Sequence, residues 1–358
     1  MRTPRAIPPS RRRAGPSSGA PVAAGRSREP CAGEGVPAWV HPISVPTPYP
    51  IGPVTVYLLE GEPLTLVDTG PATRCAWLAL RRGLAGFSLR PADIRRVLIT
   101  HGHHDHFGLA RRLSRSGAEL LAHPHDRRNL ALRRGYLRLG RQLRSAGVPL
   151  TRRLSLVAGL RLLDRTARPV VAVRWLADGE ELEHERGPIR VHHLPGHTPG
   201  HLGFELAREG VVLTGDTLLA GLTPNAVVDR DPHDPERPFL SLAAYAATLA
   251  RLEAMRPRLL LPAHGPCIGD VAGQVEELRG CQARRAADVR EALAGGPLTV
   301  AELIERLFPN RRALGGFLAY SEVVANLLEL ERLGRARPLS AGRVQRWQLV
   351  PRPTPRSG

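Results

Sequence analysis

The chain has 358 residues, 42% of them apolar, enough for one large domain and a small one. No apolar run nears the roughly 20 residues that span a bilayer, and the basic start, residues 1–28, lacks an apolar h-region, so neither a membrane span nor a secretory signal is expected. The net charge is +18 without a single lysine, which resembles the codon bias of a GC-rich genome, so part of that charge is compositional rather than selected for a partner.

Residues 1–36 are rich in Pro, Arg, Ser, Gly and Ala and cannot bury enough apolar surface to fold, so a disordered basic tail is expected, with Arg11, Arg12 and Arg13 solvated. Strand-like runs begin at Val54-Thr55-Val56-Tyr57-Leu58-Leu59, and Leu64-Thr65-Leu66-Val67 leads into Asp68-Thr69-Gly70. A helix is predicted over 74–85, a strand over 97–100, a helix over 109–116 and a strand over 119–122. That alternation predicts an α/β layered sheet.

Residues 127–174 interrupt it, with thirteen arginines against one acid, Asp164. Leu130, Leu132, Tyr136, Leu137, Leu139 and Leu143 recur near helical spacing, which predicts two or more helices inserted after Ala122-His123-Pro124. Such an insert either walls an active site and draws in an anionic substrate, or covers the core as a solvated helix pair. A membrane-surface helix fits less well, because Tyr136 is its only aromatic residue.

The core resumes at Trp175, with apolar segments at 189–194, 211–213 and 259–261 and a helix over 240–255. Gly295-Gly296 marks a boundary. Pro297-Leu298-Thr299 opens a helix with Thr299 as N-cap, a second helix is predicted over 321–333, and 335–339 with 344–349 flanks a hairpin turn. Helices followed by a hairpin suggest a winged-helix-like domain over 296–350, with a short disordered tail at 351–358. Such a module enters a nucleic-acid groove or serves packing or homodimerisation; Glu322, Glu329 and Glu331 on the would-be recognition helix favour the latter.

The chemistry concentrates at strand ends. Thr100-His101-Gly102-His103-His104-Asp105-His106 puts imidazoles and a carboxylate in one tight loop after Val97-Leu98-Ile99. His197 in Gly196-His197-Thr198-Pro199-Gly200-His201, Asp216 in Gly215-Asp216-Thr217 and His264 in Ala263-His264-Gly265 each follow an apolar segment too. Neutral nitrogens with carboxylates suit a borderline divalent metal such as zinc. Cys31, Cys75, Cys267 and Cys281 lack C-x-x-C spacing, which argues against a disulfide framework or a thiolate zinc site. Cys267 is read as a buried, inert thiol, and a reducing cytoplasm fits.

These motifs, in this order over residues 38–290, resemble the metallo-β-lactamase-fold hydrolases. With the tail, and with Pro238-Phe239-Leu240-Ser241-Leu242-Ala243-Ala244-Tyr245, the chain is similar to the β-lactamase-like protein 2 group within the glyoxalase II-like superfamily. The resemblance implies an αββα sandwich over 37–295. It implies two zinc ions, one held by His101, His103 and His197, the other by Asp105, His106 and His264, with Asp216 bridging. It further implies a metal-bridging hydroxide as nucleophile, with Asp105 beside the water that protonates the leaving group. Asp68 is read as fixing the tautomer of a ligand histidine, and His104 as pointing away or orienting the loop. His201 and Thr198 are read as stabilising the turn that carries His197, and His123, His125, His192 and His193 as ordinary polar residues. The fold hosts many hydrolytic chemistries. The expected substrate is an ester or thioester, small and anionic; the alternative is endoribonuclease action on single-stranded RNA, against which stands an aromatic content of 4%.

Overall fold

Six strands, β1 (Val40–Val45), β2 (Val54–Leu59), β3 (Thr65–Val67), β4 (Arg96–Leu98), β5 (Glu119–Ala122) and β6 (Arg174–Trp175), hydrogen-bond in chain order. The computed structural model describes residues 35–133, 135–309 and 314–351. The expectations for residues 1–34 and 352–358 lie outside the described residues. The first two pairings are antiparallel, and β3 to β6 run parallel. Parallel strands need crossover helices: α1 (Arg74–Ala85) connects β3 to β4, and α2 (His104–Phe107) and α3 (Ala110–Ser114) connect β4 to β5. Thr73 opens α1 by accepting the Ala76 N–H, and Ala76, Leu80 and Leu84 form its buried stripe at a spacing of four.

The segment joining β5 to β6 is longer and carries α4 (Arg127–Leu130), α5 (Tyr136–Ser145) and α6 (Leu150–Leu163). A second sheet follows, of β7 (Glu181–Leu182), β8 (Ile189–His193), β9 (Leu202–Leu206), β10 (Val211–Gly215) and β11 (Leu259–Pro262). Helices α7 (Ser241–Met255) and α8 (Val271–Ala294) cover its outer face.

Strand alternation sorts side chains into layers. Val56, Leu58, Val97 and Leu120 face the α1 to α3 side. Tyr57, Leu59, Leu98 and Leu121 meet Val191, Phe204, Leu213 and Leu261 between the sheets. Val212 and Leu260 face Tyr245, Leu249 and Val275 on the far side. The order is helix, sheet, sheet, helix, the αββα sandwich. Each fully buried Leu or Phe contributes roughly 1.5–3 kcal/mol. Both sheets are covered on both faces, which is why β2 reads as an unbroken buried run.

The chain ends in α9 (Val300–Leu307), α10 (Leu314–Arg332) and a three-stranded antiparallel sheet of β12 (Leu298–Thr299), β14 (Val344–Leu349) and β13 (Ala336–Ala341). Thr299 and Glu302 form a reciprocal capping box at the start of α9. Helix α10 begins seven residues before the expected Ser321. Ala319 and Tyr320 are buried there and Phe317 packs on the same core, so tertiary burial outweighs the poor helix propensity of Gly315-Gly316. That core is shared: Leu143 and Ala146 of the α5 end and Val289 and Leu293 of α8 pack with Leu303, Val323, Leu327 and Trp347. Glu322 faces Arg285 of α8 at 3.6 Å, so this acid serves packing.

Cys267 is disulfide-bonded, which corrects the reading of an inert thiol. Pairing depends on proximity in the fold, which spacing along the chain does not report. The correction also removes the cysteine argument for a reducing compartment. Among the described residues no helix is long and apolar enough to cross a membrane.

Candidate metal centre

The carboxyl ends of β3, β4 and β5 lie on one edge because those strands are parallel. Asp68 follows β3, and Thr100 and His101 follow β4. His103 caps α2, whose single turn presents Asp105 and His106. The second sheet delivers His197 after β8, Asp216 after β10 and His264 after β11. All seven residues named by the motifs converge. His103 Nδ1 lies 3.0 Å from His101 Nε2 and 2.9 Å from His197 Nε2. Asp105 stands 3.6 Å from His264 Nε2 and 3.8 Å from His106 Nε2. Asp216 stands between the two sets, with Oδ2 at 3.5 Å from His197 Nε2 and 3.6 Å from His106 Nε2, and Oδ1 at 3.7 Å from His264 Nε2.

Outer hydrogen bonds aim these rings. His106 Nδ1 donates to Asp68 Oδ2 at 2.7 Å, His197 Nδ1 to the Asn225 carbonyl at 3.0 Å, and His264 Nδ1 to the Pro53 carbonyl at 2.8 Å. A proton held on Nδ1 leaves the Nε2 lone pair facing the centre. Asp68 also accepts from the Thr100 N–H and hydroxyl, fixing the chain just before His101.

His106 Nε2, His264 Nε2 and Asp216 Oδ1 are buried and lack a hydrogen-bond partner. Leaving such an atom unsatisfied costs about 1–3 kcal/mol. Three of them, from α2 and from the ends of β10 and β11, fit a site that takes lone pairs, and the donor set of imidazoles and carboxylates is that of a divalent metal. The electrostatics agree. Burial opposes charge on His106, yet Asp216, Asp68 and Asp105 raise its pKa well above the usual value. Burial pushes Asp105 up, but His106 and His264 outweigh it and bring the carboxyl to about 2. Burial and the surrounding imidazoles hold His101 well below the ordinary histidine value. His101 and Asp105 are thus already the neutral imidazole and ionised carboxylate that ligation requires, whereas the three carboxylates hold on His106 a proton that an incoming cation would displace.

The remaining predicted residues take definite places. His104 is buried and faces Asp164, at the end of α6, at 3.3 Å. His201 braces a different loop from its own: its Nε2 accepts the Asp216 N–H at 3.1 Å. His192 contacts Glu205 at 2.6 Å and Arg251 at 2.9 Å. Gly196 has φ +149°, and a Cβ there would sit 2.6 Å from the Tyr245 ring, so only glycine permits this entry to His197.

Asp126 is the residue that sequence reasoning missed. It accepts from Gly102 N at 2.6 Å, Thr198 Oγ1 at 2.9 Å and Gly200 N at 3.2 Å. One carboxylate thus ties the His101–His103 loop to the His197 loop. Burial, then Asp229, push its pKa up to about 6, against the pull of those three donors. Its signal was an acid four residues past the end of β5, on the same sheet edge where Asp68 directly follows β3. The insert abuts the same ground: Asn129 donates to Asp229 at 2.9 Å, and Arg138 binds Glu236, both on the segment that follows Asn225.

A family model described as the metallo-beta-lactamase superfamily matches residues 49–264. The chain belongs to the metallo-beta-lactamase superfamily. Probable metallo-hydrolase YqjP of Bacillus subtilis (strain 168) is 32% identical over 81% of this chain and 91% of its own length. An atrochrysone carboxyl ACP thioesterase of Aspergillus novofumigatus (strain IBT 16806) is 31% identical over 41% of this chain and 44% of its own length. Hydroxyacylglutathione hydrolase GloC of Haemophilus influenzae (strain ATCC 51907 / DSM 11121 / KW20 / Rd) is 30% identical over 36% of this chain and 52% of its own. A metallo-beta-lactamase family protein of Thermus thermophilus superposes with a TM-score of 0.76 and 30% identity, over 87% of this chain and 99% of that one. Superfamily and homologues together make the chain a metal-dependent hydrolase.

Proposed function

We propose that the protein hydrolyses an anionic acyl thioester or ester at a pair of zinc ions. His101, His103 and His197 would hold one, Asp105, His106 and His264 the other, with Asp216 shared. When bound, such a pair supplies Lewis acidity, polarising the scissile carbonyl and bringing the pKa of water near 7. The observation that carries this reading is the set of unpartnered buried atoms, His106 Nε2, His264 Nε2 and Asp216 Oδ1, pointed at one place. The relatives named as an ACP thioesterase and a hydroxyacylglutathione hydrolase support an acyl substrate.

The chain's own residues do the positioning. Asp68, the Asn225 carbonyl and the Pro53 carbonyl hold three rings in one tautomer. Burial of the ligand residues keeps bulk water from competing. The anionic character rests on Arg128, Arg138 and Arg230 beside the Asn225 segment: burial, then Arg128 and Arg138, lower the Arg230 pKa, and Glu236 and Asp229 offset that only in part. A substrate carboxylate or phosphate placed there relieves that repulsion. We assign the C-terminal module to packing, as a winged-helix-like domain of the β-lactamase-like protein 2 type.

Purified protein loaded with zinc should contain close to two zincs at this centre and turn over acyl thioesters, and His264→Ala should lose both metal and turnover. Single-stranded RNA cleaved faster than every thioester or ester of a panel, and spared by His264→Ala, would overturn the substrate assignment.

A further inference from the structure

A second group of histidines lies outside the centre. His123 ends the stretch after β5, His125 lies in the turn Pro124–Asp126, and His193 ends β8. One nitrogen of each lies within 4.8 Å of the others. The His123 and His193 rings stack at 4.0 Å and 10°, and His125 stands edge-on to His123 at 4.5 Å. His233, on the segment after β10, sits edge-on to His125 at 5.0 Å. None of the four belongs to the set around Asp216.

We propose that His123, His125 and His193 form a separate structural site for a divalent transition metal such as zinc, with His233 as fourth ligand or neighbour. His193 Nε2 donates to the Pro199 carbonyl at 2.7 Å, which leaves its Nδ1 lone pair available. A ring N–H held by a backbone carbonyl is the usual arrangement behind a ligating histidine. Burial and the adjacent His193 and His125 keep the His123 pKa down at about 3, so that ring stays neutral. Tetrahedral zinc spaces nitrogen ligands at roughly 3.3 Å. All three nitrogens already lie within 4.8 Å of one another, and a bound ion would turn the parallel His123 and His193 rings toward it about the soft terminal torsion, with His123 presenting Nε2 because its Nδ1 faces the His125 N–H at 3.3 Å.

Such a metal has a structural consequence. It would clamp the turn that carries Asp126 to the end of β8 and to Pro199, two residues past His197. The ion would therefore stiffen the carboxylate that joins the two ligand loops. Its neutral-imidazole donor set favours zinc, nickel or copper over magnesium or calcium.

The test is metal counting on the full chain, stripped by chelator, re-equilibrated with zinc and desalted. His125→Ala and His193→Gln should each hold one zinc fewer per chain than wild type. The same one-zinc difference should persist when His125→Ala is made in a His101→Ala background. Cobalt(II) supplies a second readout: the visible absorption of the His101→Ala chain should fall by one cobalt's contribution on adding His125→Ala, the set around Asp105, His106 and His264 keeping its own. Equal metal content in wild type, His125→Ala and His193→Gln overturns the proposal. His125 is only partly buried, so its variant reports even where His193→Gln folds poorly.

Discussion

The metal centre and the arginine-rich insert lie side by side and are built by opposite means. At the centre, His101, His106 and His264 are each 1% exposed, and the His106, His197 and His264 rings are held from behind by bonds to a strand end or loop. In the insert, α6 has no buried residue, and Leu150, Leu154 and Leu162 are 59%, 63% and 59% exposed. The insert is fastened at separate points, by Leu130 and Val170 at its margins, by Leu143, Ala146 and the partly buried Leu156 on the shared C-terminal core, and by Asp164 against His104. A frame that over-determines its ligands fixes the chemistry. A flank fastened at a few points can change its surface without disturbing that frame.

The sharpest test of the contrast is Asp216→Ala, which should cut hydrolysis by roughly 10³-fold or more, as loss of a major charge-stabilising group does. An unchanged rate would break the centre as described. The next effect is one of pH. Asp126, pushed up to about 6, lies above its unfolded value. Its contribution to stability is therefore present below about pH 4 and lost as pH rises through about 6, by up to roughly 3 kcal/mol. Unfolding of the metal-free protein against pH should show wild type losing ground to Asp126→Asn over that window; parallel curves would refute it. Asp126→Ala strands the Gly102 and Gly200 N–H groups and the Thr198 hydroxyl. Metal affinity, read by chelator competition, should then fall by about 10–100-fold.

Smaller effects belong to the periphery. Thr299→Ala removes one half of the α9 capping box and should cost about 1 kcal/mol, with hydrogen exchange rising in the C-terminal module and metal content unchanged. Charge reversal of Arg128 or Arg138 should lower kcat/KM for an anionic thioester by up to about tenfold, steeply salt-dependent, and leave a neutral ester untouched. Equal loss on both substrates would show that the flank acts on the frame after all.

Much of the fold was legible because its devices are local. Helix α1 announces itself by Thr73 and a buried stripe at fixed spacing, α9 by Thr299 and Glu302, and the layers by apolar runs ending in polar loops. The residues that converge on the centre were legible too, because ligation demands particular side chains at strand ends. Their outer partners were not: the Pro53 and Asn225 carbonyls carry no side-chain signature.

By itself the sequence determined the layered α/β architecture and the seven side chains that meet at its edge, since periodicity and donor chemistry are properties of the residues. Tertiary structure alone decided which distant segments touch. It seated Asp126 against Thr198, 72 positions away, set Leu143 into a core with Trp347, placed Cys267 in a disulfide, and gathered His123, His125 and His193. Those are contacts between surfaces, and a surface exists only once the chain has closed on itself.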